Sequence, residues 1–130
     1  MSNHLHLIIS AKEGYELSGI IRDFKAFTAK SIINELLTNP KESRQEWILR
    51  LLKYFAKYNS NNALYQVWKR DNYPVDLVSN LWIGRRINYV HQNPVKAGIV
   101  DQAEDYIYSS ARDYKGIKGF LDINILETHL

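Results

Sequence analysis

His4 and His6 stand one leucine apart in the run Asn-His-Leu-His-Leu-Ile-Ile at 3–9, the first spacing in the chain with chemistry in it. On an extended backbone, residues i and i+2 point the same way about 7 Å apart, so two neutral imidazoles there can hold one divalent cation while Leu5 points to the opposite layer. The same alternation places polar pairs on one sheet face routinely, so the pair needs partners. A second group lies far along the chain. Arg85, Tyr89 and Asn93 fall at i, i+4 and i+8, with Arg86 three residues before the tyrosine, so one helix presents a phenol flanked by cations and an amide. A phenol, with its usual pKa of about 10, is a weak nucleophile until a cation stabilises the phenolate, and neighbouring arginines or a bound metal do that. The amide oxygen of Asn93 offers a third metal ligand. Nine tyrosines are present, and most must pack or lie on the surface. His91 points to a different side of its helix from Tyr89, and His129 lies in the terminal tail; neither takes a role.

The elements that must position these groups follow from the pattern. Residues 4–9 read as a short strand, closed by Ser-Ala-Lys-Glu-Gly at 10–14. Leu17, Ile20, Ile21, Phe24 and Phe27 recur at helical spacing and predict a long helix from Leu17 to Leu37, stopped before Asn39-Pro40. Ser43 and Glu46 have the form of a capping box opening a second helix, with Ile48, Leu51, Leu52 and Phe55 as its apolar stripe and Asn-Ser-Asn-Asn-Ala at 59–63 as its break. The aromatic and β-branched run at 64–78 predicts one strand around a turn at Asp71-Asn72 and Pro74. Ser79 caps a third helix reaching about residue 93, with Ile83, Ile87 and Val90 buried and Pro94 as the stop. Turns and short helical pieces follow, with Gly98, Gly116 and Gly119 as breaks.

Composition bounds the rest. At 130 residues and 45% hydrophobic, the chain is expected to be one domain over 1–130 with a sizeable core. A net charge of +3 permits nucleic acid without demanding it. With no cysteine there is no disulfide, no thiolate nucleophile and no cysteine-ligated zinc. No apolar run approaches membrane-spanning length, and a cytoplasmic protein without a membrane partner is the expectation.

Together, Met-Ser-Asn-His-Leu-His-Leu-Ile-Ile, the Asp-Phe-Lys-Ala-Phe-Thr-Ala-Lys-Ser-Ile helix, Val-Trp-Lys-Arg-Asp-Asn-Tyr-Pro, Tyr-Val-His-Gln-Asn-Pro-Val-Lys-Ala-Gly-Ile-Val and Glu-Asp-Tyr-Ile-Tyr-Ser-Ser-Ala-Arg-Asp-Tyr resemble the REP-associated tyrosine transposases of the HUH single-tyrosine group. The resemblance runs in order from residue 1 to about 115, with the His-hydrophobic-His and Tyr-x-x-x-Asn-Pro elements at its two ends. It implies an α+β, ferredoxin-like α/β sandwich: an antiparallel sheet with helices packed on it and the HUH motif on a central strand. It implies Tyr89 as nucleophile, and His4, His6 and Asn93 as ligands of a divalent metal. Many relatives carry glutamine where Asn93 stands, an amide one methylene longer, and Asn93 precedes a proline that disfavours regular helical geometry. A two-imidazole site suits manganese or zinc, the family uses magnesium or manganese, and Mg or Mn is the cofactor expected.

The implied reaction is cleavage and rejoining of single-stranded DNA near hairpins through a 5′-phosphotyrosine intermediate, which is DNA transposition by a mobile-element transposase. Arg22, Lys25 and Lys30 on the first helix, Lys69 and Arg70 after it, and Arg85 and Arg86 beside Tyr89 are the candidate phosphate contacts, a solvated face being the plain alternative for each. Two other functions compete: a hairpin-DNA-binding protein that has lost the chemistry, and a metal-dependent hydrolase in which water attacks. Relatives usually carry a further strand or strand pair ahead of the His-hydrophobic-His segment, which here begins at the first methionine. That departure predicts a homodimer that borrows strand pairing at the open edge, or a shortened and weakly active protein.

Overall fold

The computed structural model describes residues 3–58 and 64–127; the expected break at 59–63 and His129 lie outside the described residues. Two compact units are present, one of residues 10–74 and the other of residues 1–9 with 75–130. Each is built from helices, and among the described residues there is no β-strand.

In the unit of residues 10–74, α1 (Leu17–Thr38) and α2 (Gln45–Ala56) pack together. α1 runs one residue past its expected end, where the Asn39 N–H donates to the Glu35 carbonyl at 2.9 Å and Pro40 follows. Thr28, Ser31 and Thr38 turn their hydroxyls back onto carbonyls one turn earlier, keeping polar groups of α1 satisfied within the helix. The capping box at Ser43 does not form. Arg44 is the N-cap, and the Glu42 carboxylate accepts from the Arg44 N–H at 3.0 Å instead. Of the expected α2 stripe, Ile48 and Leu52 are half-buried, whereas Leu51 and Phe55 face solvent.

The run at 64–70, expected as a strand, crosses these helices as irregular chain. Trp68 packs on Phe24 with ring centroids 5.9 Å apart and donates its indole N–H to Thr28 Oγ1 at 2.9 Å, while the Gln66 N–H donates to the Leu52 carbonyl at 3.1 Å. The Lys69 and Arg70 carbonyls accept from Lys25, and no ladder forms. No hydrogen-bonded turn forms at Asp71-Asn72; residues 71–78 are irregular chain, with Tyr73 in the left-handed region at φ 48° just before Pro74.

In the other unit, α3 (Asn80–Lys96) packs on a 3-10 turn (Ala103–Asp105), which in turn contacts α4 (Ala111–Tyr114). Ser79 caps α3 as expected, its Oγ accepting from the Trp82 N–H at 3.4 Å. Gly84, Ile87, His91 and Pro94 form the buried stripe, at spacings of three, four and three residues. Pro94 does not end the helix. α3 continues to Lys96 and closes at Gly98, φ 66°, with the Ile99 N–H on the Pro94 carbonyl and the Gly98 N–H on the Val95 carbonyl, both at 2.9 Å. That pairing is a Schellman closure, for which a glycine at the left-handed position is the usual solution.

The expectation of a ferredoxin-like sandwich with an antiparallel sheet, and with the His-Leu-His segment on a central strand, is therefore corrected: the fold is helical. Residues 4–9 keep the two-residue period of extended chain, since His6 and Ile8 are half-buried while Leu5, Leu7 and Ile9 are open. A strand exists only through a hydrogen-bonded neighbour, and no second extended segment lies beside this one or beside 64–70 among the described residues.

Candidate active site

The unit of residues 1–9 and 75–130 brings together the two halves of the site expected from the sequence. The His4 and His6 rings lie on the same side of their extended segment, centroids 4.9 Å apart and nearly perpendicular at 89°. His6 then meets Tyr89 edge to face, centroids 5.7 Å apart at 83°. Tyr89 itself is 43% exposed, so its ring is held on one side and open on another.

The Asn3 amide oxygen lies 2.8 Å from His4 Nδ1; an amide oxygen only accepts, so Nδ1 is the donor and Nε2 is the nitrogen left to face a ligand. His6 Nε2 is buried and has no hydrogen-bond partner among the described residues. Burial, with the neighbouring His4 adding to it, pulls the His6 pKa below its ordinary value and favours the neutral ring. A buried ring nitrogen without a partner is costly, and a metal ion is one of the few groups that would satisfy it. These two donors fit a divalent cation. Among the described residues no three His, Cys, Asp or Glu side chains come together, so a further ligand among them is a neutral oxygen.

Asn93 is the candidate for that oxygen. Its amide nitrogen donates to the Tyr89 carbonyl one turn back at 2.7 Å, which fixes the side chain along α3 and leaves Oδ1 as its free polar atom. The phenol is flanked by two cations: Arg86, with Cζ 5.8 Å from the ring centroid, and Lys96, with Nζ at 6.0 Å. Arg86 was expected; Lys96 and Asn3 were not. Lys96 lies seven residues beyond Tyr89, two turns along the same face, and is hidden from a reading that stops the helix at Pro94. The signal for Asn3 is its place directly before the histidine it orients. Arg85 is exposed on the same helix.

His91 lies off this site, as expected from its place on the helix. It is buried, with Nε2 3.0 Å from Ser110 Oγ and its ring edge-on to Tyr114 at 5.1 Å. The remaining candidate phosphate contacts belong to the unit of residues 10–74. Arg22 pairs with its neighbour Asp23 at 2.9 Å, both well exposed. Lys30 and Lys69 are exposed, as is Arg70. Lys25 is turned inward, donating to the Lys69 carbonyl at 2.7 Å and the Arg70 carbonyl at 3.3 Å, which is a structural tie.

Among the described residues no helix is long and apolar enough to cross a membrane. Searches of protein-family models, of curated proteins and of solved structures found no match to this chain.

Proposed function

We propose that the protein is an HUH-type strand transferase that cleaves and rejoins single-stranded DNA near hairpins, with Tyr89 as the nucleophile. The observation that carries the reading is the contact between His6 and Tyr89, which sets a tyrosine beside a pair of imidazoles from the far end of the chain. His4 and His6 would hold a magnesium or manganese ion through their Nε2 atoms, with Asn93 Oδ1 as a third donor. Bound there, the ion would neutralise and orient the scissile phosphate.

The residues do the rest. Tyr89 Oη attacks phosphorus and loses its proton to water, the bond to the 3′-oxygen breaks, and that oxygen takes a proton from water, leaving a 5′-phosphotyrosine and a free 3′-hydroxyl. Arg86 and Lys96, beside the ring, stabilise the added charge of the pentavalent phosphorus. Attack by another 3′-hydroxyl reverses the step and completes transfer, so no external energy source is needed. A substrate of this kind and a cysteine-free chain go with a cytoplasmic protein.

Incubation with single-stranded hairpin DNA and Mn²⁺ tests the reading. A covalent protein–DNA adduct that survives denaturing electrophoresis is expected, and Tyr89→Phe should abolish it. An adduct that persists in Tyr89→Phe would exclude Tyr89 as nucleophile. Hairpin binding without cleavage under any divalent metal would leave a binding protein only.

A further inference from the structure

α2 is apolar on two sides. One side, built from Ile48, Leu52 and Ala56, is half-buried or buried, as a helix packed on α1 requires. The other carries Trp47, Leu51, Tyr54 and Tyr58 at spacings of four, three and four residues, and every one of them is open, Trp47 at 60% and Tyr58 at 75%. At 100° per residue the centre of this stripe lies about 130° round the helix from the centre of the packed side, Trp47 itself being opposite Ala56. The rings are already organised: Tyr54 meets Tyr58 at 5.4 Å and Phe55 at 5.6 Å, and the Tyr58 hydroxyl donates to that of Tyr54 at 3.3 Å.

A row of cations runs alongside. Arg50, Lys53 and Lys57 fall at spacings of three and four, next to the aromatic stripe, and all are exposed. Lys53 lies 5.5 Å from the Tyr65 ring centroid, and Glu46 is the helix's single acid. Antiparallel self-pairing through the stripe would set Arg50 beside Lys57 of the second copy with no acid between them, which disfavours a dimer. The row instead complements a polyanion, and the stripe complements unstacked bases, whose faces stack on aromatic rings without regard to sequence.

We propose that α2 is a stacking platform for single-stranded DNA, with Trp47, Tyr54 and Tyr58 taking successive bases and Arg50, Lys53 and Lys57 following the phosphates. From Trp47 to Tyr54 the helix rises about 10 Å, and Tyr58 follows two residues past its end at Ala56, a span of a few nucleotides. The inference goes beyond the strand-transfer reading and uses no group of the Tyr89 site, so each can fail alone.

The test uses fluorescein-labelled oligothymidylate, which forms no hairpin, with binding followed by anisotropy in EDTA. Trp47→Leu/Tyr54→Leu/Tyr58→Leu keeps the apolar surface and the helix but removes the ring faces, and should weaken binding by roughly 10-fold or more. The matching triple phenylalanine variant should bind as the wild type does. Arg50→Gln/Lys57→Gln should lower the slope of log affinity against log salt by about 1.4, near 0.7 for each lost phosphate contact. A wild type that does not bind the oligomer, or a leucine variant that binds it unchanged, would overturn the proposal. So would sedimentation showing a dimer that the leucine variant preserves while binding is unaffected. Retained oligomer binding in a protein that forms no hairpin adduct would sink the strand-transfer reading and leave this one standing.

Discussion

His6 stands edge-on to Tyr89, ring centroids 5.7 Å apart, with its own Nε2 buried and without a hydrogen-bond partner among the described residues. The ring therefore has two separable roles: an edge that packs on the phenol, and a nitrogen that packing leaves unused. His6→Phe keeps the first and deletes the second. The variant should fold as well as the wild type or slightly better, because a costly orphan is gone. Mn²⁺-dependent adduct formation should fall below detection. Thermal unfolding and the hairpin adduct assay measured together check this, and a variant that unfolds early and still forms adduct would contradict both halves.

The Asn3 amide oxygen holds the proton of His4 on Nδ1 and so presents Nε2. Removing such an orienting partner typically costs 10- to 100-fold in metal affinity, and this one is exposed, so Asn3→Ala should weaken Mn²⁺ binding by about 10-fold. Titration of manganese by its electron paramagnetic resonance signal reads this directly. An unchanged affinity would mean that His4 needs no orienting.

Lys96 comes within 6.0 Å of the Tyr89 ring centroid because α3 runs through Pro94 to its closure at Gly98. A cation at that place stabilises charge that develops on the phenol and phosphate, so Lys96→Gln should slow adduct formation by about 10-fold at saturating hairpin. A loss of hairpin affinity at an unchanged rate would place Lys96 in binding alone.

The candidate residues of this chain stand out in the sequence by type, whereas the helix length that brings Lys96 to Tyr89 does not. Types and spacing pick out His4, His6, Tyr89 and Asn93 because a reactive group is recognisable by what it is. Helix α1, the Ser79 cap and the Gly98 break are equally local, written in a few neighbouring residues. The sheet is not local. A run such as 4–9 or 64–70 becomes a strand only if a distant segment offers a ladder, and strand propensity says nothing about whether one exists. Pro94 misleads in a related way: its missing backbone N–H reads locally as a stop, while its place on the buried stripe of α3 depends on packing against distant chain.

Burial alone pushes the His91 pKa below its ordinary 6.5, so the folded protein holds this ring neutral against Ser110. Between the depressed folded value and 6.5, the unfolded chain takes up a proton that the folded one refuses. The stability associated with the neutral ring is fully present above that unfolded value and is lost as pH falls toward the folded one. His6 shifts in the same direction. Urea midpoints should therefore fall between pH of about 7.5 and 5.5, and His91→Gln should be less stable at the upper pH but show a flatter dependence. A steeper dependence in the variant would mean that His91 is charged in the folded state.

Lys25 and Arg22 lie on the same helix and carry the same charge, yet the structure uses them differently. The Lys25 ammonium donates to the Lys69 and Arg70 carbonyls at 2.7 and 3.3 Å, tying α1 to irregular chain that has no ladder to hold it. Arg22 is paired only with the exposed Asp23 beside it, a contact that water and a phosphate can both displace. Lys25→Met keeps the stem and deletes the donors, so it should lower stability by about 1 kcal/mol while oligonucleotide affinity changes little. Arg22→Gln should leave stability within about 0.5 kcal/mol of the wild type and, if the guanidinium meets DNA, reduce the salt slope of binding by about 0.7. Urea unfolding and a salt series on both variants separate the roles. A Lys25→Met protein of unchanged stability and reduced salt slope would return Lys25 to the phosphate contacts.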